Sequence, residues 1–339
     1  MAEKLKARYD VVVVGGGAAG LSGALMLSRA RRSTLVIDAG EPRNAPATGV
    51  HGLLGHDGIR PDELLERGRS EVRGYGGQLV HGTVCTICRD TCGFVVEQID
   101  GRSVRARRLL LTGGLVDEIP PIPGLWERWG RDVVHCPYCH GWEVRDRAIG
   151  VLAVGPMAVH SALLFRQWSK DVTLFVHTRP LPSPEESEQL TARGIRVVTE
   201  EVVGVETSRD RINGLRLADG FVVAREVVAM TPRLVARTDH LAALGLKAVE
   251  HPSGMGTHLL TDATGRTDVP GVWAAGNITD LSAQVGAAAA QGAMAGAQIN
   301  ADLLAEETRA AVAAYRDPFS AASEARLCEQ VMGDRRHGF

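Results

Sequence analysis

Two cysteines two residues apart, flanked by histidines, carry the clearest chemistry in this chain: His135-Cys136-Pro137-Tyr138-Cys139-His140. A pair so spaced can be a zinc knuckle, half of an iron–sulfur site or a redox-active dithiol. Zinc is disfavoured, because four adjacent residues do not easily wrap one tetrahedral ion and no second CxxC or HxxxH falls at a useful spacing. A dithiol reacts only as thiolate, so it needs a lowered pKa or a base nearby. Imidazole, with an ordinary pKa of about 6.5, suits the removal of protons from thiols at neutral pH. His135 and His140 are therefore both candidate bases, although His135, at a strand end, could simply bond a neighbouring carbonyl. His81, Cys85, Cys88 and Cys92 have a metal-like rhythm. The strand expected over Thr83–Cys88 would turn Cys85 and Cys88 to opposite faces, however, so buried or incidental thiols are expected there. Cys328 is read as incidental, and no metal is expected.

The elements that must position the dithiol come next. Val11–Val14 is a short apolar strand running into GGGAAG, Leu21–Arg29 continues at helical spacing, and Thr34–Ile37 is a second strand ending at Asp38. This βαβ unit places Gly15, Gly17 and Gly20 in GxGxxG positions, with an acid about twenty residues further on. The glycines permit a tight turn and close approach to a pyrophosphate on the helix N-terminus, and the Asp38 carboxylate accepts hydrogen bonds from a ribose. A second α/β pattern follows: strand Ile149–Val154, helix Ala158–Gln167, strand Val172–Val176. Near the end, VPGVWAAGN (269–277) closes on a glycine turn and leads into a helix rich in small residues over 284–304. The fold class expected is α/β with two Rossmann-like nucleotide-binding domains in three ββα layers. The boundaries expected are 1–115 for the first part of one domain, 116–246 for an inserted domain carrying the CxxC, 247–320 for the return, and 321–339 for a polar tail.

The bulk composition agrees. A chain of 339 residues, 45% hydrophobic, is long enough for roughly two domains of about 100–200 residues. A formal charge of −2 gives no reason to expect nucleic acid or a membrane surface as partner. No apolar run reaches the roughly 18–20 residues of a membrane span, since five glycines break Asp10–Leu27. Met1–Arg8 is polar and unlike a signal peptide. Six cysteines in so long a chain do not make a disulfide framework. A cytoplasmic location is expected.

With these pieces in order, the chain resembles the low-molecular-weight thioredoxin reductase family over roughly residues 8–305, through VVVVGGGAAG, LLLTGG (109–114), the CxxC and WAAGN. The resemblance implies FAD lying across the first domain. Gly15, Gly17, Gly20 and Asp38 would hold its ADP half, with Thr112 and Gly113 of LLLTGG beside it. Gly276 and Asn277 would hold the ribityl chain, where the family's usual residue is Asp. The helix starting near Gln284 and Val285 would aim its positive end at the flavin. The resemblance also implies that Cys139 faces the flavin and that Cys136 exchanges with the substrate sulfur.

Two departures bear on direction. The second nucleotide loop reads Ala153-Val154-Gly155-Pro156-Met157-Ala158, with alanine for the first glycine and a proline that removes a backbone N–H. Only Arg179 in FVHTRPLPSPEE could meet an NADPH 2′-phosphate. The residue after the CxxC is His140, where thioredoxin reductases carry an acid. CPYCHGWE, RNAPA (43–47) and HGLLGHDG (51–58) resemble the FAD-dependent dithiol oxidases that close the disulfides of gliotoxin and holomycin. That subgroup implies a small dithiol substrate, molecular oxygen as acceptor, hydrogen peroxide as product and a homodimer, with His51 and His56 on the flavin or substrate side. The competing expectations are an NADPH-dependent thioredoxin or small-disulfide reductase and a flavin redox sensor without turnover.

Overall fold

The computed structural model describes residues 5–317 and 320–332. β1 (Arg8–Val14) buries Val11 to Val14 on both faces, as a central parallel strand must. It is followed by α1 (Ala18–Arg29), β2 (Thr34–Asp38), α2 (Pro61–Gly74) and β3 (Gln78–His81). β4 (Val84–Asp90), β5 (Gly93–Gln98) and β6 (Ser103–Leu111) then run antiparallel to one another. β6 serves two purposes. Its first half pairs with β5, Ala106 opposite Phe94, while it runs parallel to β1 along its length.

β7 (Leu115–Glu118) leaves this sheet and pairs antiparallel with the strand on which the chain returns, β16 (Arg233–Ala236), Val116 opposite Val235. Between them lie β8 (Val133–Val134), α3 (Pro137–His140), β9 (Ile149–Leu152), α4 (Ala158–Phe165), β10 (Val172–Phe175), α5 (Pro184–Ala192), β11 (Arg196–Val198) and β15 (Val227–Ala229). The strands of this group form one parallel sheet in the order β11-β10-β9-β15-β8. One face packs on Ala162 and Phe165 of α4 and Leu190 of α5. The other packs on a three-stranded antiparallel layer, β12 (Val202–Ser208), β13 (Arg211–Leu217) and β14 (Val222–Val223), through Val202, Ile212 and Leu215. The layering is ββα, and the fold is the α/β class that the sequence indicates.

After the short hairpin β17 (Val249–Glu250) and β18 (Thr257–His258), β19 (Val272–Ala274) returns to the first sheet, parallel to the second half of β6. α6 (Val285–Arg316) crosses α1 closely, because a Cβ at Gly292 would lie 1.9 Å from the carbonyl oxygen of Ala19. α6 runs well past the 284–304 expected from its small residues. Its added turns are held by tertiary ion pairs: Arg107 grips Glu306 and Glu307, Arg108 grips Asp302 and Glu306, and Arg32 grips Glu307. The expected polar tail is helical over α7 (Ala321–Met332), and 333–339 lie outside the described residues. No helix among the described residues is long and apolar enough to cross a membrane.

Candidate active site

A cavity of about 390 Å³ opens between the two parallel sheets. Its wall includes Gly15, Gly17, Asp38, Thr112, Gly113, His135, Cys136, Cys139, His140, Gly276, Asn277, Gln284 and Val285. Residues far apart in sequence meet there because β1, β2 and β6 end at the same edge of the first sheet, while β8 delivers the dithiol from the second. Gly20 is the exception among the expected cofactor-binding residues. It does not line the cavity; its missing Cβ would stand 1.9 Å from the Gly15 carbonyl oxygen and 2.7 Å from Thr112 Oγ1. Gly20 therefore acts by letting α1 close onto the strand.

The first end of the cavity is a cradle for a dinucleotide. Gly15 has φ +102°, and a Cβ there would meet the Thr112 carbonyl oxygen at 2.5 Å. Thr112 Oγ1 bonds the Val14 and Gly15 carbonyls, both at 2.9 Å, and fixes the turn. Asp38 accepts a hydrogen bond from the Gly16 N–H at 3.0 Å through Oδ1, with Arg69 at 3.6 Å from Oδ2. α1 and α6 begin at Gly17 and Gln284 with no side-chain cap, so free N–H groups and two positive helix ends face the cavity. A ribose, a pyrophosphate and an electron-accepting ring match these donors, and the residues present fit FAD. Asn277 is more committed than its type suggests. Its Nδ2 donates to the carbonyls of Asp280 at 3.1 Å and Ala283 at 2.9 Å, bracing the loop before α6 and leaving Oδ1 as the atom for a ligand.

The second end carries the dithiol. Cys136 is the N-cap of α3 and Pro137 its first residue, which suits proline because no N–H is needed there. The Cys139 thiol donates to Cys136 Sγ, and the N–H groups of Cys139 and Tyr138 and the Gln284 amide add to it. Burial opposes them, yet together they hold the Cys136 thiol down at about 7. Gln284 Nε2 lies 4.0 Å from that sulfur. Cys139 is pushed upward, as the donor in the shared bond and by burial, while the charge of Arg43 pulls it the other way.

The two histidines separate. Burial, aided by Arg43, lowers His135 to about 4. His140 is also lowered by burial, but Glu143 raises it and His51 adds a smaller lowering. His51 sits in the cavity wall with Nε2 3.4 Å from Glu143 and Nδ1 3.6 Å from Asp57. His56 is exposed and off the cavity. Cys85 and Cys92 are exposed on β4 and the turn after it, and Cys88 is half-buried. Cys85 Sγ bonds the Glu97 carbonyl. No cluster of three metal-ligating side chains occurs among the described residues.

Among the lining residues with no role assigned from sequence are Arg43, Asp117 and Arg237. Arg43 grips Asp117 through Nε and an Nη at 2.8 and 2.6 Å. RNAPA was visible as a short motif, but its partner on β7, seventy-four positions away, was not. At the second nucleotide loop, α4 starts without a side-chain cap or an acid in its first turn. Pro156 stands beside Gly254, whose added Cβ would meet it at 3.5 Å. Beyond β10, His177 has its Nδ1 occupied by the Val202 N–H at 3.1 Å, and Arg179 is exposed.

Residues 9–295 match the family described as pyridine nucleotide-disulphide oxidoreductase. The chain is 32% identical over 311 residues to the protein named thioredoxin reductase tcpT of Claviceps purpurea (strain 20.1), covering 88% of this chain and 95% of that one. Against thioredoxin reductase sirT of Leptosphaeria maculans it is 29% identical over 310 residues, with 86% and 93% covered. The crystal structure of HlmI superimposes with a TM-score of 0.86 at 43% identity, over 93% of this chain and 98% of that one. An oxidoreductase from Agrobacterium tumefaciens gives 0.82 at 38%, over 88% and 99%. Cradle, dithiol and likeness agree: the chain belongs to the pyridine nucleotide-disulphide oxidoreductase family, as a thioredoxin-reductase-like FAD flavoprotein.

Proposed function

We propose that this oxidoreductase is a dithiol oxidase. It closes an intramolecular disulfide in a small secondary-metabolite dithiol, with O2 as acceptor and H2O2 as product. The observation that carries the reading is the second nucleotide loop. Pro156 offers no N–H and packs beside Gly254, and no cluster of arginines follows β10. Each missing charge-assisted contact costs about 1–3 kcal/mol, so several together leave NADPH with little affinity.

The chain's own residues then work as follows. His140, kept neutral by burial, takes the proton of an incoming thiol. The resulting thiolate attacks Cys136 Sγ of the Cys136–Cys139 disulfide, and Cys139 leaves with the electron pair of that bond. The second substrate thiol gives its proton to the Cys139 thiolate and attacks the substrate sulfur of the mixed disulfide. The substrate S–S bond forms and Cys136 is released as thiolate, which the Tyr138 and Cys139 N–H groups stabilise. One proton is left in the Cys139–Cys136 bond and the other on His140; both end in H2O2. Bound FAD supplies the acceptor for the electron pair and its delivery to O2. His135, at about 4, is too weak a base to compete at neutral pH. The same reading carries a homodimer, a cytoplasmic location and the division at 115/116 and 246/247.

The names of the relatives favour a second reading, an NADPH-dependent thioredoxin or small-disulfide reductase. Anaerobic mixing separates the two. A small dithiol such as dithiothreitol is expected to bleach the flavin absorbance while NADPH does not, and readmitted oxygen should restore the colour with about one peroxide per flavin. Stoichiometric bleaching by NADPH would overturn the oxidase reading.

A further inference from the structure

The RNAPA segment is not used by the mechanism above, yet it is tied down at two points. Arg43 holds Asp117 of β7 through two hydrogen bonds of 2.8 and 2.6 Å, with Asp117 buried. Three residues on, Pro46 presses on Gly130, where an added Cβ would approach within 2.5 Å. Gly130 precedes β8, the strand that delivers the dithiol. A guanidinium gripped bidentately by a buried carboxylate has little freedom to move. Arg43 therefore stands as a fixed cation in the wall it shares with His135 and Cys139.

The chemistry needs such a charge. In the reduced pair Cys139 is the proton donor to Cys136, and it must lose that proton before its sulfur can react as a nucleophile. Its burial and its neighbour's negative charge both oppose this, and Arg43 is the cation whose charge favours it. Burial, with the same charge adding to it against the opposing carboxylate of Asp117, keeps His135 neutral, so no protonated imidazole competes with the sulfur for the positive field.

We propose that Arg43, clamped by Asp117, is a positioning residue that supplies the fixed countercharge for Cys139 when its sulfur becomes anionic. The inference rests on Cys139 being the cofactor-side thiol, but not on the direction in which electrons flow.

The test is alkylation of the full-length holoprotein by iodoacetamide across a pH series, followed by mass spectrometry, in a Cys136→Ser background that isolates Cys139. Adding Arg43→Met should slow Cys139 alkylation about tenfold at any pH below its midpoint, the equivalent of one pKa unit. Arg43→Lys should recover most of the rate. A Cys139→Ser background reports Cys136, whose rate should change less than threefold. Equal Cys139 rates with and without Arg43→Met would overturn the proposal, as would an equal loss at both thiols. Should Arg43→Met lose the flavin, Arg43→Gln keeps a hydrogen bond to Asp117 without the charge and is held to the same outcomes. Oxygen takes no part in the assay, so failure of the oxidase reading would leave this result standing, and the reverse.

Discussion

Glu143 Oε1 stands 3.4 Å from Nε2 of His51, so a loop of the first sheet touches the turn that follows the dithiol helix. The contact bears on His140, which Glu143 raises and His51 lowers against the larger lowering by burial. Burial disfavours the imidazolium, so His140 keeps its basic form to a pH below the ordinary histidine value of 6.5. Dithiol turnover should therefore fall along an acid limb that lies below that value. Glu143→Gln removes the raising charge and should move the limb to lower pH. His140→Gln should abolish the limb and cut kcat/KM about a hundredfold. A series of kcat/KM against pH for the three proteins checks this.

The two cysteines should respond differently to reagent. Cys136, held at about 7, should alkylate in the reduced protein with a midpoint more than a unit below an ordinary thiol at about 8.5. Cys139 should stay largely unmodified at pH 7, because its proton is shared with Cys136 and its surroundings are buried. Peptide mapping after a short pulse of iodoacetamide reads both. Cys136→Ser should retain FAD and lose turnover with dithiothreitol; full turnover in that variant would sink the proposed chemistry.

Asn277→Asp restores the residue type usual in thioredoxin reductases, and here it should do harm. The amide donates to the carbonyls of Asp280 and Ala283, and a carboxylate would set charge against both. Leaving those acceptors without donors costs about 1–3 kcal/mol. Urea unfolding of the holoprotein should fall by that amount, and FAD should dissociate more readily on dilution.

Gly292→Ala tests the crossing of α1 and α6. The new methyl would lie 1.9 Å from the Ala19 carbonyl oxygen, a backbone atom that cannot swing aside. The helices must separate, at a cost of about 1–3 kcal/mol. Since α1 and α6 both present their N-termini to the cavity, thermal denaturation should show a lower Tm and flavin fluorescence should report weaker FAD retention.

Much of this molecule was legible locally. The strand–glycine–helix run at 11–29, the acid at Asp38 and the CxxC each carry their meaning in adjacent residues, because turns, helix ends and dithiols are built from neighbours in the chain. The length of α6 was not legible. The turn just past residue 304, at Glu306 and Glu307, is held by Arg32, Arg107 and Arg108, which reach it from the first sheet and the loop after α1. Gly20 reads with Gly15 and Gly17 as part of the turn that admits a pyrophosphate, and only its packing against the Gly15 carbonyl and Thr112 shows that its share is the close approach of α1 to the strand.

The sequence by itself determined the fold class, a dinucleotide cradle and a closely spaced cysteine pair with a histidine at either side, since each follows from residue type at short spacing. Only the tertiary structure decided which groups surround that dithiol and how their charges fall on it. His135 and His140 are both candidate bases on paper, His135 with a carbonyl bond as its alternative, but burial and the charges of Arg43 and Glu143 set them apart in space. Arg43 finds Asp117, and Cys136 finds Gln284, across long stretches of chain. Electrostatic fields and desolvation depend on distance in space, and no pattern along the sequence encodes that distance directly.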